Sequence, residues 1–172
     1  MNIRASRQED LPEIMKLYEE ARQFMRENGN PGQWGSVYPQ RELILEDIEA
    51  GNHYICEEDG RILGTFYFAQ EEDPDYREIY EGSWIGTGPY GVMHRVAAPG
   101  RKKGVASFCV RWCVEKSGGD LRIDTHEDNL PMQGMLKKNG FVRCGIIHPQ
   151  YGGDRIAFEK IVKNPDFCGK NG

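Results

Sequence analysis

A chain of 172 residues fits one domain of ordinary size, and its 38% hydrophobic and 28% charged residues are those of a packed protein rather than a disordered one. The formal charge of −5 leaves no basic field to hold a polyanion, so nucleic acid is excluded as an expected partner. Nowhere do the roughly 20 apolar residues of a membrane helix run together, and residues 1–10 carry no apolar run behind a basic flank, so the expectation is a cytoplasmic protein with no membrane partner.

Residues 2–5 read as a short opening strand. Residues 8–26 place Leu11, Ile14, Met15, Tyr18, Ala21 and Met25 on one face of a helix. The stretch 28–39 is rich in Gly, Asn and Pro yet holds Trp34, Val37 and Tyr38, which marks a loop of the kind that lines a pocket. A second helix is predicted over 42–50, stopped at Gly51. Residues 53–57 and 62–70 form a hairpin across Glu58, Asp59, Gly60 and Arg61, since Asp-Gly suits a tight reversal. The acidic, aromatic stretch 71–88 reads as a long connection.

A strand over 90–98, a basic glycine-rich turn and a helix from about 105 to 116 follow. Then come a strand at 121–125, a helix at 130–138 ended by Asn139 and Gly140, and closing strands at 141–147 and 155–162. Residues 163–172 have little to bury. The expected organisation is therefore a single domain over 1–162 with a flexible tail at 163–172. No repeat or shift in composition marks a second unit.

Five scattered cysteines, Cys56, Cys109, Cys113, Cys144 and Cys168, point to reduced thiols. Cys109 and Cys113 lie four apart on a helix, but no second close pair completes a ligand set, so they are assigned to the core and no metal is expected. His126 beside Asp124 or Asp128 supplies at most two ligands on one face and reads as hydrogen bonding or acceptor contact.

The chemistry concentrates where a strand ends at Ala98 and a helix begins near Val105. A helix start exposes unpaired N–H groups at the positive end of its dipole, which favours phosphate, and Gly104 keeps side-chain bulk away from that site. Arg101, Lys102 and Lys103 add charge; in isolation such a triplet is a solvated loop. No Gly-Lys-Ser or Gly-Lys-Thr follows, as a nucleotide-binding loop of the P-loop type needs.

His94-Arg95-Val96-Ala97-Ala98 followed by Arg101-Lys102-Lys103-Gly104-Val105-Ala106 resembles the coenzyme A signature of the GNAT superfamily of N-acetyltransferases, written Arg or Gln, two residues, Gly, one residue, Gly or Ala. The segment 129–141 is similar to the family's second motif, with its closing Asn-Gly-Phe. The resemblance implies an α/β fold of the α+β type: a mixed, mostly antiparallel sheet flanked by helices and splayed between two central strands to hold acetyl-coenzyme A. It further implies that main-chain groups of Val96, Ala97 and Ala98 pair with the pantetheine arm. Residues from Arg101, Lys102, Lys103 and Gly104 through Val105, Ala106 and Ser107 would hold the diphosphate. Asn129 would touch the cofactor near its reactive end, or cap the helix that starts at Leu130, or both.

An aliphatic amine with a pKa of about 10.4 must lose a proton before it attacks a thioester. His94 matches a position where some members of the family carry a histidine, and imidazole titrates near neutrality, so the resemblance makes it the first candidate general base, against the alternative of a buried structural histidine; Glu78, Glu81 and Glu127 rank behind it. Many members of the family protonate the leaving thiolate with a Tyr seven residues beyond the Asn, but that position is Leu136 here, which leaves Tyr90 or Tyr151 as candidate acids. Gln33, Trp34, Tyr38 and Trp84 fall where the family builds acceptor sites, and carboxylates beside aromatic faces suit a cationic amine, from a small molecule or a peptide. The alternative is a non-catalytic acyl-coenzyme A sensor or interaction module of the same fold. Monomer and homodimer both remain open.

Overall fold

The computed structural model describes residues 1–163. Strand β1 (Asn2–Ala5) and a short 3-10 turn (Gln8–Asp10) lead into helix α1 (Leu11–Glu27), and α2 (Arg41–Glu49) follows the glycine-rich loop. Strands β2 (His53–Glu58) and β3 (Arg61–Ala69) leave only Asp59 and Gly60 between them. Both take left-handed φ, +51° and +74°, so the expected four-residue reversal closes as a two-residue turn whose twist matches the strands. After a second 3-10 turn (Pro74–Tyr76) come β4 (Gly91–Ala97), α3 (Val105–Lys116), β5 (Asp120–Thr125), α4 (Leu130–Lys138), β6 (Val142–Ile147) and β7 (Arg155–Ile161). Of the expected tail, residues 164–172 lie outside the described residues, as does Cys168.

The seven strands form one sheet in the order β1-β2-β3-β4-β5-β7-β6. Every neighbouring pair is antiparallel except β4 and β5. The alternation of a strand sends successive side chains to opposite faces. Cys56, Phe66, Phe68, Met93 and Ile123 therefore pack with Val105, Cys109 and Cys113 of α3 and Leu136 of α4. On the other face Ile55, Ile62 and Ala97 meet Leu11, Ile14, Tyr18, Ile44 and Ile48 of α1 and α2. The described cysteines are buried and free.

The connection 71–88 is more than a linker. Tyr80 forms a bridge with Ile146, and Tyr76 and Trp84 pack with Tyr67, Val92 and Ile147. Its far end rests on a buried ion pair, Arg122 Nε donating to Glu159 Oε1 at 2.8 Å, while Glu159 Oε2 accepts from the Ile85 and Gly86 amides at 2.5 and 3.2 Å. Among the described residues no helix is long and apolar enough to cross a membrane.

Candidate active site

The sheet opens at its centre. Strands β4 and β5 are in register only at Gly91↔Leu121 and Val92↔Arg122, although β5 goes on pairing with β7 as far as Thr125↔Ile156. The join is tight, since a Cβ on Gly91 would lie 2.7 Å from the Ser117 Cβ and 2.9 Å from the Phe68 ring. Beyond it, residues 93–97 of β4 have no partner on the β5 side. A bulge accompanies the opening: the β3 ladder steps from Tyr67↔His94 to Thr65↔Ala97, and Arg95 between them takes φ +51°.

A cavity of about 650 Å³ occupies the opening, with Met93, His94, Arg95 and Val96 of β4 and Ile123 and Asp124 of β5 along it. Gln33, Trp34 and Tyr38 come from the loop after α1, Glu71, Asp73 and Asp75 from the connection, Asn129 and Met132 from the start of α4, and Tyr151, Gly152 and Arg155 from the last hairpin. The predicted acceptor loop and the predicted thioester strand thus face one space. The loop is held there by its own polar groups: Gln33 Oε1 accepts from Asn30 at 2.8 Å and from Asn129 Nδ2 at 2.9 Å, and the Gln33 carbonyl accepts from Arg155 at 3.2 Å.

His94 is partly buried between two carboxylates. Its Nε2 lies 2.6 Å from Asp73 Oδ2, and its Nδ1 lies 3.8 Å from Asp124 Oδ2. Burial pushes the Asp73 carboxyl up, but the His94 contact, the Asp75 amide and the charge of Arg95 together hold the acid below its ordinary range. Asp73 Oδ1 also accepts from the Asp75 amide at 2.9 Å, which fixes the carboxylate that faces the ring. Tyr76, whose hydroxyl is kept protonated first by burial and then by Asp124, donates to Asp124 Oδ2 at 2.7 Å. Asp73, Tyr76 and Asp124 were not assigned to the base from sequence, because their chain positions carry no shared spacing. The fully buried histidine is instead His53, held neutral by burial with a pKa of about 3 among Ser6, Tyr18 and Thr65.

None of the residues predicted to hold the diphosphate, Arg101 to Ser107, lines that cavity; Gly104 stands outside it at the N-cap of α3, with φ +86° and no side-chain cap, and a Cβ there would meet nothing within 4 Å. Val105 is buried, tight against Gly64, so the helix start is anchored to β3. Ala106 is half-buried, and the Ser107 hydroxyl accepts from Asn139 at 2.9 Å. The basic triplet is divided. Arg101 is clamped to α1 by Glu20 at 2.6 Å and Glu13 at 2.7 Å and donates to the Ile62 carbonyl, Lys102 pairs with Glu58, and Lys103 makes no ion pair among the described residues. The part of this turn left without partners is therefore the uncapped helix start, with Arg101 and Lys102 already paired. Val96 lines the cavity, Ala97 is buried in the β3 ladder, and Ala98 packs on the core.

Asn129 serves the cap and the cavity together, its Oδ1 accepting from the Met132 amide at 3.2 Å while Nδ2 reaches Gln33. Leu136 is wholly buried. Of the two candidate acids, Tyr151 is 82% exposed at the cavity rim, whereas Tyr90 lies outside it beneath the Arg122 guanidinium, 3.9 Å from its ring centre. Trp84, expected on the acceptor wall, is also outside: Arg122 covers its ring at 4.4 Å and its Nε1 donates to the Tyr76 carbonyl at 2.8 Å. Among the described residues no group of three His, Cys, Asp or Glu is placed to hold a metal.

A mixed sheet parted between two parallel central strands, the first of them followed by the start of a helix, is the fold this chain shares with GNAT acetyltransferases. The model of the acetyltransferase (GNAT) family matches residues 11–141, and the chain belongs to that family. It is similar to the crystal structure of a GNAT family acetyltransferase from Streptococcus agalactiae 2603, at 32% identity over 95% of this chain and 96% of that one, with a TM-score of 0.86. Two more distant structures share the fold alone. One is a ribosomal-protein-alanine N-acetyltransferase from Brucella melitensis, at 17% identity, TM-score 0.61, covering 94% of this chain and 100% of that one. The other is the NatC complex bound to Gag peptide and CoA, at 14% identity, TM-score 0.62, covering 95% and 100%. No curated protein matches the chain.

Proposed function

We propose that this protein transfers an acetyl group from acetyl-coenzyme A to a primary amine of a small cationic molecule or a peptide, by direct attack while both are bound. The observation that carries this reading is the parting of β4 from β5 beyond Val92 and Arg122, which leaves a free strand edge running past His94. Such an edge accepts an extended arm through main-chain bonds, and the uncapped start of α3 suits a diphosphate. When bound, acetyl-coenzyme A supplies the activated acyl group.

His94 takes the proton that the ammonium must lose, directly or through water, while Asp73 fixes the ring from Nε2 and leaves Nδ1 toward Asp124. The bulge at Arg95 and Val96 interrupts the β3 ladder, so main-chain N–H groups of β4 can stabilise the negative charge that develops on the carbonyl oxygen. Of the two candidate acids, Tyr151 is the one that lines the cavity, and it is assigned to protonate the departing sulfur. Glu71, Asp73, Asp75 and Asp124 outnumber Arg95 and Arg155 along the cavity, and Trp34, Tyr38 and Tyr67 add aromatic faces, which together favour a cationic acceptor.

Leu136 in the position of the family's usual acid supports a second reading, a module that binds acyl-coenzyme A without turnover. Calorimetric titration with acetyl-coenzyme A followed by thiol release against cationic amines and peptides separates the two. Saturable binding with release is expected; binding without release from any amine selects the module, and no saturable binding refutes both.

A further inference from the structure

Among the described residues three non-glycine residues have left-handed φ, and two of them, Asp59 and Glu81, are exposed in turns. The third, Arg95, lies inside a central strand at φ +51°, a conformation that a side chain keeps only where its surroundings impose it. Four elements converge on it. Tyr18 of α1 donates its hydroxyl to the Arg95 carbonyl at 2.9 Å, and Asp47 of α2 accepts from Arg95 Nε at 2.9 Å and Nη2 at 2.7 Å. Tyr38 of the acceptor loop accepts from Nη1 at 3.4 Å, and the Tyr67 ring of β3 lies 4.6 Å beneath the guanidinium. The pair is largely enclosed, with the Arg95 and Asp47 side chains 13% and 9% exposed.

A guanidinium so engaged has little left to offer a substrate carboxylate. We propose that Arg95 is a positioning residue: its side chain and carbonyl are clamped so that its own main chain keeps the bulge which aims β4 at the thioester, and Tyr38 ties that clamp to the acceptor loop. This rests on the acetyl-transfer reading above.

Glycine adopts φ near +50° without penalty and alanine does not, so R95A and R95G, made in the full chain, separate holding the main chain from every other role. R95A is expected to lower kcat on the order of a hundredfold, as a small misplacement near the chemistry does, with little change in acetyl-coenzyme A affinity. R95G is expected to exceed R95A by about tenfold, and D47A should lower kcat in the parent chain but add little in the R95G background. Equal defects in R95A and R95G, carried mainly by the acceptor KM, would mean that the side chain binds substrate and would overturn the proposal. So would an R95G weaker than R95A, the order expected of a side chain that only stabilises a strand. If the parent protein turns over no amine, the acetyl-transfer reading fails and the clamp is judged by melting temperature alone: R95G above R95A sustains it, and the reverse order overturns it.

Discussion

Replacing Glu159 tests how the connection that carries Asp73 is held. Glu159 is wholly buried, and its carboxylate accepts from Arg122 Nε and from the Ile85 and Gly86 amides. Removing it in E159A leaves a buried guanidinium with the Gly86 carbonyl, two aromatic faces and the neighbouring Asp120 carboxyl, and two amides without their acceptor. Breaking a buried pair from one side costs about 3–5 kcal/mol. At roughly 2–4 °C per kcal/mol for a chain of this size, that is a fall in melting temperature of roughly 6–20 °C. E159Q keeps an acceptor oxygen and should lose less. The double variant R122M/E159L removes both charges, and because the attraction in such a pair is largely offset by desolvation, it should be more stable than R122M or E159L alone. Urea denaturation of the three proteins decides the matter: strictly additive losses would refute the argument that an uncompensated charge is the cost. Below its melting temperature E159A should also show reduced turnover, since the segment presenting Asp73 to His94 has lost its far anchor.

Three further outcomes are expected. G104V should stay folded, because a Cβ there meets open space, losing about 1–2 kcal/mol to the left-handed φ. Its acetyl-coenzyme A affinity, read by calorimetry, should fall at least about tenfold as bulk enters the helix start; unchanged affinity in a folded G104V would remove the diphosphate site from α3. H94A should lower kcat by about 10²–10⁴-fold while acetyl-coenzyme A still binds, and a smaller loss, checked by steady-state kinetics, would move the base elsewhere. Asp120 is held up at about 7 first by burial and then by the charge of Glu159, and its Oδ1 has no partner. An acid whose folded pKa is raised contributes stability below its unfolded pKa near 4 and loses it as pH climbs through 7. D120N should therefore gain on the parent protein at pH 8, on the order of 1 kcal/mol after solvent screening, with the gap narrowing at pH 5 in melting curves. A gap that widens on acidification would reverse the assignment.

Local regularities set the elements of this chain, and they were legible before any coordinates. Apolar residues recurring at helical spacing in α1 and α3, Asp59-Gly60 between two strands, and Asn139-Gly140 after α4 act through the backbone within a few residues of themselves. The turn 100–104 was legible for the same reason, since a glycine before a helix and the donors behind it are properties of the local chain. Which side chains meet was not. Arg101 read as a phosphate ligand, and nothing in the chain announced its pairing with Glu13 and Glu20, 88 and 81 positions away. Trp84 and Tyr90 read as site residues, but the fold placed Arg122 over both rings. His94 was the candidate base from its place in the family motif together with the chemistry of imidazole, whereas Asp73 and Asp124 reached it only through the folding of the connection and the pairing of β5. A charge or an aromatic ring is satisfied by whichever partner the tertiary arrangement supplies, and no period or spacing in the chain encodes that choice. The bulge at Arg95 belongs to the same class, because its left-handed backbone is held by Tyr18, Tyr38, Asp47 and Tyr67 from four separate parts of the molecule.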